Sequence, residues 1–107
     1  MKLLSRSEEI VLLAVWRMQG NAYGVSIREQ ASRVTGHDWT FGAVYVPLDK
    51  LTRKGFVSKV SSEPSARRGG RSKCLYDLTR EGREALREIR RVQEALWEDI
   101  PDVAFDK

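Results

Sequence analysis

The sequence predicts a mainly α-helical protein with a small β-hairpin (α+β): a winged helix-turn-helix followed by a C-terminal dimerisation helix. Four segments repeat apolar residues at helical spacing, and two short β-type runs separate the third segment from the fourth. A loop rich in arginine and glycine joins the two runs. We therefore assign residues 1–78 to the winged helix-turn-helix domain, 79–100 to the dimerisation helix and 101–107 to an acidic tail.

The first helix is predicted over residues 6–18, because Ser5 and Glu8 have the spacing of a capping box. Its run 10–16 is apolar on almost every side, so the helix must be buried on more than one side, and Trp16 is expected to anchor the core. In so short a chain a second subunit can supply part of the cover. The candidate dimer contacts on this helix are Ile10 and Leu13.

The second helix is predicted over residues 24–35, because Ile27, Ala31 and Val34 have the spacing that places them on one buried face. Turn residues follow it at 36–38. This helix and the next form the predicted helix-turn-helix.

The third helix is predicted over residues 41–54 and ends at Gly55. Its core-facing residues are Val44, Leu48 and Leu51. Pro47 lacks an amide for the helical hydrogen bonds, which favours a kink or a late helix start. The face opposite the core then consists of Gly42, Val46, Asp49, Lys50 and Arg53.

This third helix is the candidate DNA-recognition element. Small residues near its start would let the backbone approach a groove, hydroxyl groups there can approach phosphate, and two long cationic side chains follow. The candidate DNA contacts on the helix are Thr40, Gly42, Ala43, Tyr45, Lys50 and Arg53. The alternative is a core helix with an ordinary polar outer face.

Positive charge is concentrated in one part of the chain. The net charge is +4, but residues 50–73 hold eight basic residues against one acidic residue, a net +7 that leaves −3 for the rest. A basic block in an otherwise slightly acidic chain indicates one surface that faces a polyanion, although a solvated charged loop is the alternative.

The two β-type runs, 56–62 and 73–78, predict a hairpin whose tip, residues 63–72, is a basic wing. Two adjacent glycines in the tip permit a tight turn, and the guanidinium groups around them suit phosphate or a narrow minor groove. The candidate DNA contacts here are Arg67, Arg68, Arg71 and Lys73.

The last helix is predicted to follow a Thr79 cap and to continue to about Asp99. Its apolar stripe is wider than a lone surface helix requires, which favours a two-fold dimer that binds paired half-sites. The candidate dimer contacts are Ala85, Ile89, Val92, Leu96 and Trp97. Two alternatives are a helix that covers its own domain and an interface at which Trp97 stacks a planar small-molecule effector.

Several classes of protein are not expected. The longest apolar run has seven residues, far below the ~20 of a membrane span, and the start of the chain lacks a signal-peptide pattern. One cysteine, Cys74, and one histidine, His37, leave no disulfide framework, Cys-rich zinc site or His pair. We therefore expect a cytoplasmic protein without a metal or cofactor, and not an enzyme.

An ordered series of short motifs covers nearly the whole chain. Its main parts are Tyr23-Gly24, the run from Trp39 to Tyr45, Lys54-Gly55, the wing sequence from Arg68 to Arg71, Leu78-Thr79 and Gly82. This series resembles the PadR-like transcriptional regulators, in particular the small subgroup with a single C-terminal helix. One departure is that Val46 separates Tyr45 from Pro47, whereas the family commonly has proline directly after the tyrosine.

The resemblance implies a dimeric winged-helix regulator, usually a repressor, with the first and last helices in the dimer interface. It also implies DNA contacts from Thr40, Gly42, Tyr45 and the wing arginines. The leading hypothesis is a sequence-specific homodimeric repressor that binds double-stranded DNA. The alternative is a winged-helix protein-interaction module that binds an acidic partner.

Overall fold

The computed structural model of the chain describes residues 3–61 and 74–101. Within these residues it has four helices and two strands: α1 (Arg6–Arg17), α2 (Gly24–Thr35), α3 (Phe41–Arg53), β1 (Val57–Ser61), β2 (Cys74–Leu78) and α4 (Arg80–Trp97). The strands pair in antiparallel fashion, with Val57 opposite Leu78. This order of elements confirms the predicted winged-helix α+β fold, whereas dimerisation through α4 stays a prediction.

Serine and threonine side chains fix where three helices begin. The Ser5 amide donates to Glu8 Oε1 over 2.8 Å and the Glu8 amide donates to Ser5 Oγ over 3.1 Å, which is the predicted capping box. Thr40 Oγ1 accepts from the Ala43 amide at the start of α3, and Thr79 Oγ1 accepts from the Gly82 amide at the start of α4. Each cap satisfies an amide that has no partner within its helix.

Three helix ends differ slightly from the predictions. Helix α1 ends at Arg17 rather than at residue 18, and α3 ends at Arg53, so Lys54 is its C-cap rather than its last helical residue. Helix α4 ends at Trp97, two residues earlier than predicted, because the backbone leaves the helical region at Glu98, which has a ψ of 132°, and Asp99 then has a left-handed φ of 66°. Helix α3 begins at Phe41, as predicted, and continues through Pro47, so of the two alternatives that Pro47 raised the late start is excluded.

The core lies between α1, α3 and the hairpin. The predicted core side of α3 is confirmed, since Val44, Leu48 and Leu51 are almost completely buried. The remaining large side chains of the core include Val11, Leu12, Val15, Ile27, Tyr76, Leu78 and Leu86. Burial of one such aliphatic side chain contributes about 1.5–3 kcal/mol to stability.

Two residues expected in the core are exposed. Trp16 is 43% exposed and Val34 is 67% exposed, so the predictions that Trp16 anchors the core and that the buried face of α2 extends to Val34 were wrong. Both side chains line an open groove of about 470 Å³ between α1 and α2. The buried face of α2 therefore ends at Ala31, and nothing within the described residues fills the groove.

The hairpin and α4 are held to the rest of the domain by main-chain hydrogen bonds. The Tyr76 amide donates to the Ala22 carbonyl over 2.8 Å, and the Thr79 amide donates to the Phe56 carbonyl over 3.1 Å. Gly82 allows the close approach of α4, since a Cβ there would lie 2.2 Å from the Phe56 carbonyl oxygen. These contacts fix the base of the wing and the first turn of α4 on the domain.

Candidate nucleic-acid interface

The outward face of α3 is the predicted one. All five residues assigned to it are exposed, and Val46 keeps 58% of its surface in solvent. The residues of the face are Gly42, Val46, Asp49, Lys50 and Arg53. This face therefore combines one glycine, one apolar side chain and three charged side chains.

Two residues in the first turn of α3, Gly42 and Ala43, are small and exposed. A Cβ on Gly42 would have Thr40 Oγ1, 3.9 Å away, as its nearest neighbour, so the fold itself does not require glycine there. Glycine nevertheless costs a helix about 0.5–1 kcal/mol relative to alanine. The Ala43 amide is already bonded to Thr40 Oγ1 over 3.1 Å, which leaves the Thr40 hydroxyl hydrogen, and not this amide, to donate to a ligand.

Tyr45 joins the two helices of the helix-turn-helix. Its ring stacks on Phe41, with ring centroids 6.2 Å apart, and the Arg28 guanidinium lies 4.9 Å from the centre of the Phe41 ring. A Cβ on Gly24 would lie 1.9 Å from the Tyr45 hydroxyl oxygen, so this hydroxyl is at the N-terminal end of α2. Arg28 also donates from Nε to the Trp39 carbonyl, in the turn before α3. The sequence gives no sign of this role, because both contacts lie outside α2 and leave no pattern along it.

The cations of the basic block differ in availability. Arg53 pairs with Asp49 over 3.0 Å, but both side chains are exposed, and such a pair is weak enough to exchange partners. Lys50 is exposed and has no ion-pair partner among residues 3–61 and 74–101. Lys54 donates from Nζ to the buried Glu8 carboxylate over 2.8 Å, so it supports the fold rather than the outward surface.

The ion pair between Glu8 and Lys54 connects the start of α1 with the end of α3. Burial raises the pKa of Glu8, but the hydrogen bonds from Lys54 and Ser5 outweigh burial and hold the pKa of this carboxyl below its usual value. The charged form of Glu8 therefore stabilises the folded state. Sequence analysis identified Glu8 as a capping residue but missed its partner, which is 46 residues away.

The predicted wing contacts lie outside the described residues. These contacts are Arg67, Arg68, Arg71 and Lys73, and the wing tip 63–72 and the end of the acidic tail are also outside. Their assignment to DNA contact stays a prediction. Within the described part, the exposed basic residues that flank them in sequence are Lys59, on β1, and Arg80, at the start of α4.

The predicted dimer contacts form two exposed apolar areas. On α1, Leu13 is 45% exposed and Ile10 is half-buried, and both line the groove between α1 and α2. On α4, burial decreases along the helix: Ala85, Ile89 and Val92 are half-buried, whereas Leu96 and Trp97 are exposed. Their role in a dimer, and an effector contact at Trp97, stay predictions.

Two further findings concern the described residues only. No group of three or more histidine, cysteine, aspartate or glutamate side chains within residues 3–61 and 74–101 is arranged to hold a metal ion. None of the helices in these ranges is both long and apolar enough to cross a membrane.

Comparison with known proteins gives a family and several structural relatives. The family model described as "Transcriptional regulator PadR-like family" matches residues 12–88. RosR of H. salinarum is 26% identical, with a TM-score of 0.67 over 92% of this chain and 82% of that one. No curated protein sequence matches this chain.

Two other solved structures have the same fold at lower identity. A putative transcriptional regulator from Thermoplasma acidophilum is 20% identical, with a TM-score of 0.71 over 92% of both chains. A PadR family transcription regulator from Clostridium difficile R20291 is 24% identical, with a TM-score of 0.62 over 85% of this chain and 92% of that one.

Proposed function

Because this chain belongs to the PadR-like family of transcriptional regulators, we propose that it is a sequence-specific DNA-binding protein that acts as a homodimeric repressor. In this proposal α3 enters the major groove, and the wing 63–72 lies along the phosphate backbone or in the minor groove. Repression is the usual mode of action that the resemblance implies. The main support is the exposed face of α3, which is opposite the core and free of cover by the described residues.

The proposed base and phosphate contacts differ in kind. Gly42 and Ala43 allow the first turn of α3 to come close to the DNA, while Lys50 and Arg53 supply the long donors of the last two turns. Tyr45 has its hydroxyl at the N-terminal end of α2, where a phosphate would also meet the positive end of the helix dipole. Most of these contacts would position the protein, so few bases are contacted directly.

The proposed dimer covers the two exposed apolar areas. A small monomeric protein rarely leaves several large apolar side chains exposed on neighbouring surfaces, and contact with a second copy would remove them from water. Leu13 and Trp16 on α1, together with Leu96 and Trp97 on α4, are the residues that would gain most from such cover. Two-fold symmetry would place two α3 helices for paired half-sites about one DNA turn (~34 Å) apart.

Selection of bound duplexes from a random library at two salt concentrations tests the proposal. We expect an enriched two-fold-symmetric motif that persists at the higher salt concentration. If the protein retains DNA without any shared motif and releases it as salt rises, the binding is only a non-specific attraction to a basic surface. This result would favour the alternative of an acidic protein partner.

Matched variants then locate the binding surface. Arg53→Gln should weaken binding to the selected motif, whereas Arg90→Gln should not, although both arginines are exposed and pair with an acidic residue four positions away. A triple replacement of Arg67, Arg68 and Arg71 by alanine should weaken binding to all sequences similarly. Unchanged affinity in the triple variant would remove the wing from the mechanism.

A further inference from the structure

Val46 is the one apolar side chain among the five residues of the outward face of α3. It is 58% exposed, and its neighbours on the outward face are Gly42, Asp49, Lys50 and Arg53. We propose that Val46 contacts the C5-methyl group of a thymine in the major groove and thereby determines specificity for one base pair of each half-site. This proposal rests on the proposed function.

The position of Val46 on the helix favours deep insertion. At about 100° per residue, its direction is within about 30° of the direction opposite to the mean of the four buried residues of α3, which are Val44, Pro47, Leu48 and Leu51. Gly42, one turn earlier and about 6 Å away along the axis, has no side chain beyond its Cα. The valine methyl groups can therefore approach the floor of a groove without obstruction from a side chain one turn earlier on this face.

The chemistry of the face leaves Val46 one suitable partner. Asp49 can pair with Arg53 over 3.0 Å, and the two long cationic side chains, Lys50 and Arg53, have the reach for phosphate or a purine edge. Valine cannot donate or accept a hydrogen bond, and the thymine methyl is the apolar group that base pairs present in the major groove. An adenine–thymine pair opposite Val46 is therefore favoured over pairs without this methyl.

The fold does not depend on the Val46 side chain. It is exposed and is not a member of the hydrophobic core cluster, and alanine has the higher helix propensity. Val46→Ala should therefore keep the thermal midpoint of the wild type or raise it slightly. This allows binding effects to be separated from folding effects.

The test uses the duplex motif that the wild-type protein selects. Each thymine is replaced singly by deoxyuridine, which keeps base pairing and removes only the methyl group. We expect one thymine in each half-site at which deoxyuridine weakens wild-type binding about three- to fivefold, as about 0.8 kcal/mol for one buried methyl group predicts. Val46→Ala should bind the thymine and deoxyuridine duplexes equally, and Val46→Thr should have an intermediate preference.

Three outcomes would overturn the inference while leaving the proposed function intact. These are a selected motif without thymine, a motif in which deoxyuridine has no effect at any position, and a thymine preference that Val46→Ala retains in full. Failure of the proposed function is seen earlier and separately, as a wild-type protein that selects no motif, and it would refute the inference as well.

Discussion

Replacement of Gly42 by alanine should make the protein more stable and its DNA binding weaker. The added Cβ has open space within the chain, with its nearest neighbour 3.9 Å away, and the backbone there is ordinary right-handed helix. Alanine at such a site raises the free energy of unfolding by about 0.5–1 kcal/mol. For a domain of this size the melting temperature should rise by about 2–6 °C.

DNA binding should change in the opposite direction. If the first turn of α3 touches the DNA, a methyl group at position 42 keeps the backbone from its closest approach and weakens every contact of that turn. We expect a loss of about tenfold in affinity for the selected motif, or about 1.4 kcal/mol. A gel-shift or fluorescence-anisotropy titration at fixed salt measures the affinity, and differential scanning fluorimetry at one protein concentration measures the stability.

Gly82→Ala is the matched control, because it is also a glycine-to-alanine change within a helix. Its Cβ would lie 2.2 Å from the Phe56 carbonyl oxygen and 2.8 Å from Leu78 Cδ1, so a destabilisation of about 1–3 kcal/mol is expected. A Gly42→Ala protein that melts higher yet binds the motif as tightly as the wild type would refute the close approach of α3. A lower melting temperature would refute the account of its surroundings.

Three further predictions concern charge, salt and assembly. Glu8→Gln should destabilise the fold by about 1–2 kcal/mol at pH 7. Because the pKa of Glu8 is lowered in the folded state, the stability difference between variant and wild type should persist above the ordinary glutamate pKa and shrink as the pH falls below that value. Thermal unfolding from pH 7 to pH 3 measures the difference, and a difference that stays constant with pH would contradict the prediction. Lys50→Gln should reduce the slope of log affinity against log salt by about one for each subunit, and an unchanged slope would exclude a phosphate contact. Leu96→Asp should shift the protein from dimer to monomer in sedimentation velocity; a wild-type monomer at micromolar concentration would exclude the dimer.

Periodic features of the fold could be predicted from the sequence. The buried face of α3 followed from the spacing of Val44, Leu48 and Leu51, and the outward face followed as its opposite. The caps at Ser5 and Thr79 were also evident, because a capping side chain bonds to an amide only three residues away. Such features depend on neighbours within one or two helical turns, so their pattern is visible along the chain.

Features that depend on packing between elements could not be predicted. The partner of Glu8 is 46 residues away, and the α2 stripe ended before Val34 because no element of the described chain covers that turn. The three helical glycines show the same limit. Gly24 makes room for Tyr45, Gly82 makes room for the Phe56 carbonyl, and Gly42 has open space, although spacing alone treats them alike.

Helix α1 connects the two proposed surfaces. Its inner side, through Val11, Leu12 and Val15, is part of the same core as α3, and Glu8 holds the C-terminal end of α3 through Lys54. Its outer side is exposed at Leu13, where the proposed dimer would form. Because protein cores are closely packed and deform little, a change in how two α1 helices meet would move each α3 with its own α1. The spacing of the two proposed recognition helices would therefore be determined at the α1 contact rather than by flexibility within the helix-turn-helix.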